Sequence, residues 1–399
     1  MTKLEQLIKE LCPNGVEYKK LSDIATVARG VRVVRDQLAE TGDIPVYQNS
    51  IKPLGYHDKS NVKAYSAFVI GAGAAGEIGF SDVDFWAADD CYYFLCPDNL
   101  NNRYLYFVLM KNQPLILSRV RKASIPRLSR TVIENLVIPV PPLEVQAEIV
   151  KILDNFTELT AELTAELTAE LTARKKQYEY YRDLLLDFGV HGGGTSECEW
   201  RTLGEMFPFI RNGFVGTVTP FYTDKENGVR YLQGTNIHNG VISDNEVFYI
   251  TKEFHEKHKK NELQSDDILM VQSGHVGECA VVGEKYKGSN CHALIILSNG
   301  GQCDSNYVRY YLQSTHGKRI LVRITTGGTV KHILASKMKN VVIPFPPIEE
   351  QKRIVSTLDR FDKLCNDISE GLPAEIEARR KQYEYYRDRL LSFEERKNA

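Results

Sequence analysis

The sequence predicts an α+β fold, with two pseudo-symmetric α+β domains separated by two long antiparallel helices that form a coiled coil. Three observations predict it. The run from Thr157 to Ala173 repeats T-A-E-L as a continuous rod, the chain duplicates itself with two long frame segments at one shared shift, and each copy carries short apolar strands followed by a helix.

The rod comes first because it sets the layout. Leu159, Leu163, Leu167 and Leu171 recur every fourth residue and so line one slowly turning helix face. Alanine, leucine and glutamate are strong helix formers, and neither glycine nor proline interrupts the run. Pro141-Pro142 closes an extended strand, Leu143-Glu144 opens the helix with an acid in its first turn, and Gly189 stops it after Phe188. Such a helix spans about 65–70 Å at 1.5 Å per residue. It reads as a spacer with something at each end.

The duplication decides the architecture. Leu136 to Phe156 (LVIPVPPLEVQAEIVKILDNF) matches Val341 to Phe361 (VVIPFPPIEEQKRIVSTLDRF), a shift of 341 − 136 = 205. Arg174 to Phe188 (RKKQYEYYRDLLLDF) matches Arg379 to Phe393 (RRKQYEYYRDRLLSF) at the same shift, so the helices between are of equal length. Glu17 to Ile24 matches Glu199 to Met206 at a shift of 199 − 17 = 182, so the second variable region is the longer one. The implied segments are residues 1–142, a spacer at 143–188, a glycine-rich linker at 189–198, residues 199–347, and a second spacer at 348–399. Chain direction makes the two rods antiparallel, and the second seam uses Leu358, Phe361, Leu364 and Ile368. Gly371 and Pro373 are expected to break or kink the second helix. Leu4 to Leu11 resembles a piece of the same junction, so the fold reads as nearly circular.

Composition bounds the function. The chain has 399 residues, enough for two or three domains, and a formal charge of −2, so any nucleic-acid surface must be local or shared with partners. Without a membrane-length apolar run or a signal-peptide core near Met1 to Cys12, a cytoplasmic protein is expected. Eight cysteines without a C-x-x-C pair point to reduced structural thiols rather than disulfides or zinc.

Within the variable regions, Ala67 to Ile70, Tyr92 to Leu95, Ile268 to Val271 and His292 to Leu297 read as strands. Helices follow around Asn102 to Met110 and Ser305 to Gln313. Gly71 to Gly76 (G-A-G-A-A-G) imitates a dinucleotide fingerprint, but no helical period follows it. The second copy, Val271 to Cys279 (VQSGHVGEC), keeps partners only for Gly73 and Gly76. A turn between strands explains both copies.

Two basic tracts stand at equivalent places. Lys111, Arg119, Arg121, Lys122, Arg127 and Arg130 occur without an acid between 111 and 130; Lys318, Arg319, Arg323, Lys331, Lys337 and Lys339, with His332, occur without one between 318 and 339. They are candidates for phosphate contact. Gln48, Asn49, Gln233, Asn236, Ser273 and His275 are candidates for base readout, because amides and hydroxyls offer the donors and acceptors that groove edges require. No Walker A loop, H-E-x-x-H, G-x-S-x-G or metal-spaced cluster is present, and Asp89-Asp90 and Asp266-Asp267 read as solvated turn acids. Recognition without catalysis is expected.

The two I-P-x-P-P-(L/I)-E-x-Q-x-x-I-V frames, the R-K-K-Q-Y-E-Y-Y-R-D helix end and the T-A-E-L tandem resemble the specificity subunit of a type I restriction-modification enzyme, in the subfamily with T-A-E-L repeats. The resemblance covers the chain end to end. It implies two target recognition domains that read a split, asymmetric site on double-stranded DNA, with no cofactor in this chain. It also implies two modification (methyltransferase) subunits that carry S-adenosylmethionine and methylate adenine, and two restriction (endonuclease and translocase) subunits that use ATP and Mg, without a membrane. Tyr178, Tyr180, Tyr181, Tyr383, Tyr385 and Tyr386 fit docking surfaces for such partners, with core packing an equal alternative for half of them. The rod then acts as a ruler for the gap between half-sites. Two alternatives stay open: a coiled-coil scaffold that does not bind DNA, and a dinucleotide-dependent enzyme built on the glycine motif.

Overall fold

The computed structural model describes residues 2–189, 198–328, 331–366 and 371–396. The chain divides into two units, residues 1–166 with 376–399 and residues 167–375. The division passes through the rods, so each unit owns one variable region and part of each rod. The expected glycine linker lies, from 190 to 197, outside the described residues.

In the first unit the strands β1 (Thr26–Arg29), β2 (Ser66–Ile70), β3 (Ile78–Ser81) and β4 (Cys91–Leu95) form an antiparallel sheet in the order β1-β4-β2-β3. All five residues of β2 are buried, as befits a central strand covered on both faces. Helix α1 (Asn102–Ser118) packs on β2 and β3. It runs eight residues past the expected end, through Pro114, because Ile116 is drawn into the core. The long helix α2 (Leu143–Leu185) follows without interruption for 43 residues.

The second unit repeats this topology. Strands β5 (Phe209–Asn212), β6 (Ile268–Val271), β7 (Cys279–Val281) and β8 (Leu294–Ser298) are ordered β5-β8-β6-β7, again antiparallel, and helix α3 (Ser305–Gln313) covers β7. Helix α4 (Thr315–Ile324) comes next, then α5 (Ile348–Asn366) and α6 (Leu372–Leu390). Each unit adds a smaller sheet containing one parallel pair, Ile44–Tyr47 with Trp86–Ala87 and Gly228–Leu232 with Asn290–Cys291. Each also pairs its entry strand with the strand before a rod, Tyr18–Lys20 with Val137–Pro139 and Glu199–Thr202 with Val342–Phe345. The shared order is the physical counterpart of the sequence duplication.

The repeated E-x-Q of the two frames has a structural purpose that periodicity does not reveal. Gln146 and Gln351 are both 0 % exposed. Gln146 Oε1 accepts the backbone N–H of Asn101 at 2.9 Å, while its Nε2 donates to the carbonyls of Pro141 and Asn99. Gln351 Oε1 accepts from Asp304 N–H at 2.9 Å and its Nε2 donates to Pro346. Asn101 and Asp304 in turn cap α1 and α3. One buried amide therefore joins the rod, the proline turn and the helix start in each unit.

Each unit also contains an antiparallel helix pair. In the second, α2 meets α5 with Tyr181 stacked on Phe361 at 5.8 Å between ring centroids, while Tyr178 lies near Asp362 and Lys175 near Cys365. In the first, α2 meets α6 through Phe156 beside Tyr386 at 6.1 Å and a 3.0 Å hydrogen bond between the hydroxyls of Thr157 and Tyr383.

The expected leucine seam needs correction. Leu167 and Leu358 are buried and Leu163 and Leu171 half-buried, but Leu159 is 61 % exposed and Leu364 is exposed as well, its neighbour Cys365 taking the inward position. Leu159 lines, with Phe156, Thr160 and Leu163, an open cavity against Arg379, Gln382, Tyr383 and Tyr386 of α6, so it faces the partner helix without being covered by it. Ile368 lies outside the described residues. The expected break in the second rod is present at Gly371, which is not helical: α5 is described as far as Asn366, 367–370 lie outside the described residues, and α6 begins at Leu372 with Pro373 in its first turn, where a missing N–H costs nothing.

The tyrosines divide by helix phase. Tyr178 and Tyr383 turn into the helix pairs, and burial raises the Tyr178 hydroxyl to about 12. Tyr181 and Tyr386 lean on phenylalanines with one edge exposed, and Tyr180 and Tyr385 point outward. All eight cysteines are free thiols, and burial pushes Cys279 and Cys291 up to about 12. Among the described residues no helix is long and apolar enough to cross a membrane.

Candidate nucleic-acid interface

The glycine motif is a turn between antiparallel strands. Gly71 to Glu77 connects β2 to β3, with Gly73 at φ +84° and Gly76 at +89°. The second unit places Gly274 at +83° and Gly277 at +93° between β6 and β7. These are left-handed conformations in which a side chain is strained. A Cβ on Gly73 would also stand 2.8 Å from Asn49, which shows how closely that loop is clasped.

The turn supports the basic tract. Arg121 and Arg127 exchange backbone hydrogen bonds across a hairpin, Leu128 N–H donates to Gly71 at 2.8 Å, and Gly73 N–H donates to Pro126 at 3.1 Å. Ala74 N–H donates to Asn49, drawing the 48–50 loop alongside. The second unit repeats the arrangement: Thr326 and His332 exchange backbone bonds, and Ile333 N–H donates to Gln272. A hairpin is thus pinned to a glycine turn in each unit: the first carries Arg121, Lys122 and Arg127, whereas the second carries Lys331 and follows α4, on which Lys318, Arg319 and Arg323 lie.

The predicted residues separate into those this construction presents and those it consumes. Arg119, Arg121, Lys122 and Arg127 are exposed, and none of them makes an ion pair among the described residues. Asn49 is exposed beside them and Gln48 half-buried. In the second unit Lys318, Arg319, Arg323 and Lys331 are exposed, as is His275, whose ring stands edge-on to His238 at 6.2 Å.

Other predicted contacts are already occupied. Lys111 donates to Leu391 O at 3.1 Å and Ser392 Oγ at 2.7 Å, and burial holds its ammonium below the ordinary lysine range. It fastens the chain's C-terminal segment instead of facing solvent. Arg130 pairs with Glu134 at 2.9 Å, one helical turn away. Asn236 is wholly buried: its amide donates to Ser243 O and Glu246 O, and its oxygen accepts from Gln233 N–H, so it staples a loop. Gln233 donates to the Tyr222 hydroxyl at 2.8 Å. Ser273 and His332 hydrogen-bond to one another and pin the second hairpin. In each case the local structure claims the side chain first.

The reading of Asp266-Asp267 as a solvated pair also changes. Asp267 is 1 % exposed, and burial raises its carboxyl although it accepts from Gln264 N–H. His238 is a presented residue that the sequence reading missed. It sits on a tight hairpin turning at Asn239-Gly240, both with positive φ, and that Asn-Gly pair was its signal. Among the described residues no three His, Cys, Asp or Glu side chains come together as metal ligands.

A Haemophilus influenzae protein assigned as a type I restriction enzyme specificity subunit is 33 % identical over 98 % of this chain and 98 % of its own length. The type I restriction enzyme EcoR124I/EcoR124II specificity subunit of Escherichia coli is 38 % identical over 64 % of this chain, a match that spans 61 % of that subunit. A chain from a solved type I restriction-modification system, described for its complex assembly and conformational transition, has the same fold at 17 % identity, with a TM-score of 0.65 over 95 % of this chain and 98 % of that one. The family model for the type I restriction modification DNA specificity domain matches residues 13–173 and again 195–378. The chain belongs to the type I restriction modification DNA specificity family.

Proposed function

We propose that this chain is the sequence-reading subunit of a type I restriction-modification assembly, in which each unit reads one half of a split, asymmetric DNA target. The observation that carries the reading is a hairpin pinned to a glycine turn on each of two equivalent sheets, with exposed cations on the hairpin in the first unit (Arg121, Lys122, Arg127) and, in the second, on the hairpin (Lys331) and the helix that precedes it (Lys318, Arg319, Arg323). Exposed cations on one edge supply phosphate contact and position the duplex, while the divergent loops beside them read bases. Shared frames with unlike inserts suit two different half-sites.

The chain itself is assigned no chemistry. Modification subunits, two per assembly, would bring S-adenosylmethionine, and two restriction subunits would bring ATP and Mg. Exposed Tyr180, Tyr385 and the outer edges of Tyr181 and Tyr386 support the rods as docking faces for the modification subunits, because aromatic rings add contact area at little entropic cost. The assembly would act in the cytoplasm.

Mapping methylated adenines in cells that express this chain with its modification subunits tests the proposal. A bipartite motif whose first half alone changes when residues 13–135 are exchanged for those of a relative is the expected result. Methylation independent of the chain, or a motif without two halves, rules the reading out.

A further inference from the structure

At the tip of the first hairpin, Ile125 is 55 % exposed. An aliphatic residue there has no core to join, and the other tip residues, Lys122, Ala123 and Ser124, are exposed too. Arg121 and Arg127 form the stem of the hairpin and Arg119 leads into it, so with Lys122 four exposed cations flank the apolar residue along the chain, in a tract without acids. A surface of this kind suits a polyanion that also offers apolar groups, and it would repel a protein surface of like charge. Duplex DNA has one such group on a base edge, the 5-methyl of thymine in the major groove, which is wide enough to admit a two-stranded ribbon. The stem is held at both ends, by its own Arg121–Arg127 bonds and by the bonds from Leu128 to Gly71 and from Gly73 to Pro126. Its tip is therefore positioned before contact and loses little freedom on binding. At the shift of 205 the second half of the sequence again has a β-branched aliphatic residue, Val330, which lies outside the described residues.

We infer that Ile125 is a specificity-determining residue that presses on a thymine methyl in the first half-site. This rests on the DNA-reading function proposed above.

The test uses the full chain in complex with its modification subunits and a duplex carrying the mapped target. Each thymine of the first half-site is replaced in turn by deoxyuridine, which removes only the methyl group, and affinity is measured for the parent and for Ile125→Ala. One replacement is expected to weaken the parent about fourfold, the worth of one buried methyl group, and to leave Ile125→Ala unaffected. The second half-site, the gap and the salt dependence should be the same in both proteins, because no charge is removed. The inference is overturned if the parent tolerates every replacement, if the loss persists in Ile125→Ala, or if the first half-site contains no thymine. Failure of the parent complex to bind its mapped duplex would instead remove the DNA-reading function, and this inference with it. Unchanged thermal unfolding of Ile125→Ala separates lost contact from lost fold.

Discussion

The backbone N–H of Asn101 donates to Gln146 Oε1 at 2.9 Å, so the N-cap of α1 is fastened to the first turn of the long helix by one buried amide. Gln146→Leu keeps the volume but leaves that N–H and the carbonyl of Pro141 without a partner. About 2–4 kcal/mol of stability is expected to be lost from the first unit, since each stranded buried group costs about 1–3 kcal/mol. Gln351→Leu should cost the second unit a similar amount through Asp304 and Pro346. Urea unfolding followed by hydrogen exchange in each unit measures both; a loss spread equally over the two units in either variant would contradict the assignment.

The presented cations give a second prediction. Arg121→Ala removes an exposed charge without an ion-pair partner among the described residues, so the slope of log affinity against log salt should fall by about 0.9. The preferred sequence should not change, because a phosphate contact carries no base information. Arg130→Ala should leave the slope unaltered, as Arg130 already pairs with Glu134. Binding titrations over a range of salt distinguish the two.

Lys111 behaves differently from the rest of its tract. Its ammonium holds Leu391 O and Ser392 Oγ, so Lys111→Met should lower the melting temperature while leaving the salt slope of DNA binding unchanged. A reduced slope in a stably folded variant would return Lys111 to the phosphate-contacting group.

How legible this was depended on scale. The duplicated frames, the long helix, the break near Gly371 and the strand identity of Ile268–Val271 follow from repeats and periodicity that a sequence displays directly. What each side chain does within the frame was hidden. Asn236 and Ser273 read as base-contacting groups, yet nearby hydrogen-bond partners occupy both, and only the folded chain reveals partners distant in sequence such as His332. Leu159 faces α6 as the seam expects, but an open cavity between the two helices leaves it exposed, which spacing in the sequence does not show. Gln146 was visible in both frames but carried no local signal, since its partners Asn101 and Asn99 sit more than forty residues earlier.

Asp183 sets a pH dependence in the second unit. Burial alone would raise its carboxyl, but donation from the Thr315 hydroxyl and backbone N–H, with Arg182 alongside, holds it below the ordinary carboxylate range. A depressed carboxyl contributes stability that is complete above its unfolded pKa and is lost as pH falls through the folded value. Asp183→Asn is therefore expected to be less stable at neutral pH, by no more than about 1 kcal/mol because solvent screens this partly exposed site. The gap between variant and parent should narrow at about pH 4 and below. Denaturant midpoints at the two pH values check the sign, and a gap that widens in acid would reverse it.

The continuity of α2 makes the spacing of the target a property of helix length. The T-A-E-L run lies inside a helix with no break from Leu143 to Leu185. Deleting Thr164 to Leu167 should therefore close up the helix, removing about 6 Å of rise and about 40° beyond one full turn. Duplex DNA advances about 3.4 Å per base pair, so the deletion is worth one or two base pairs of the gap between half-sites. The residues assigned to reading lie in the two variable regions, before Leu143 and after Leu185, and should keep their preferences. The methylated motif of the deletion variant is thus expected to retain both half-sites around a gap shorter by one or two base pairs. An unchanged gap would mean that helix length does not set the spacing. A changed half-site would mean that the rod and a reading surface are not mechanically separate, because shortening one would then have deformed the other.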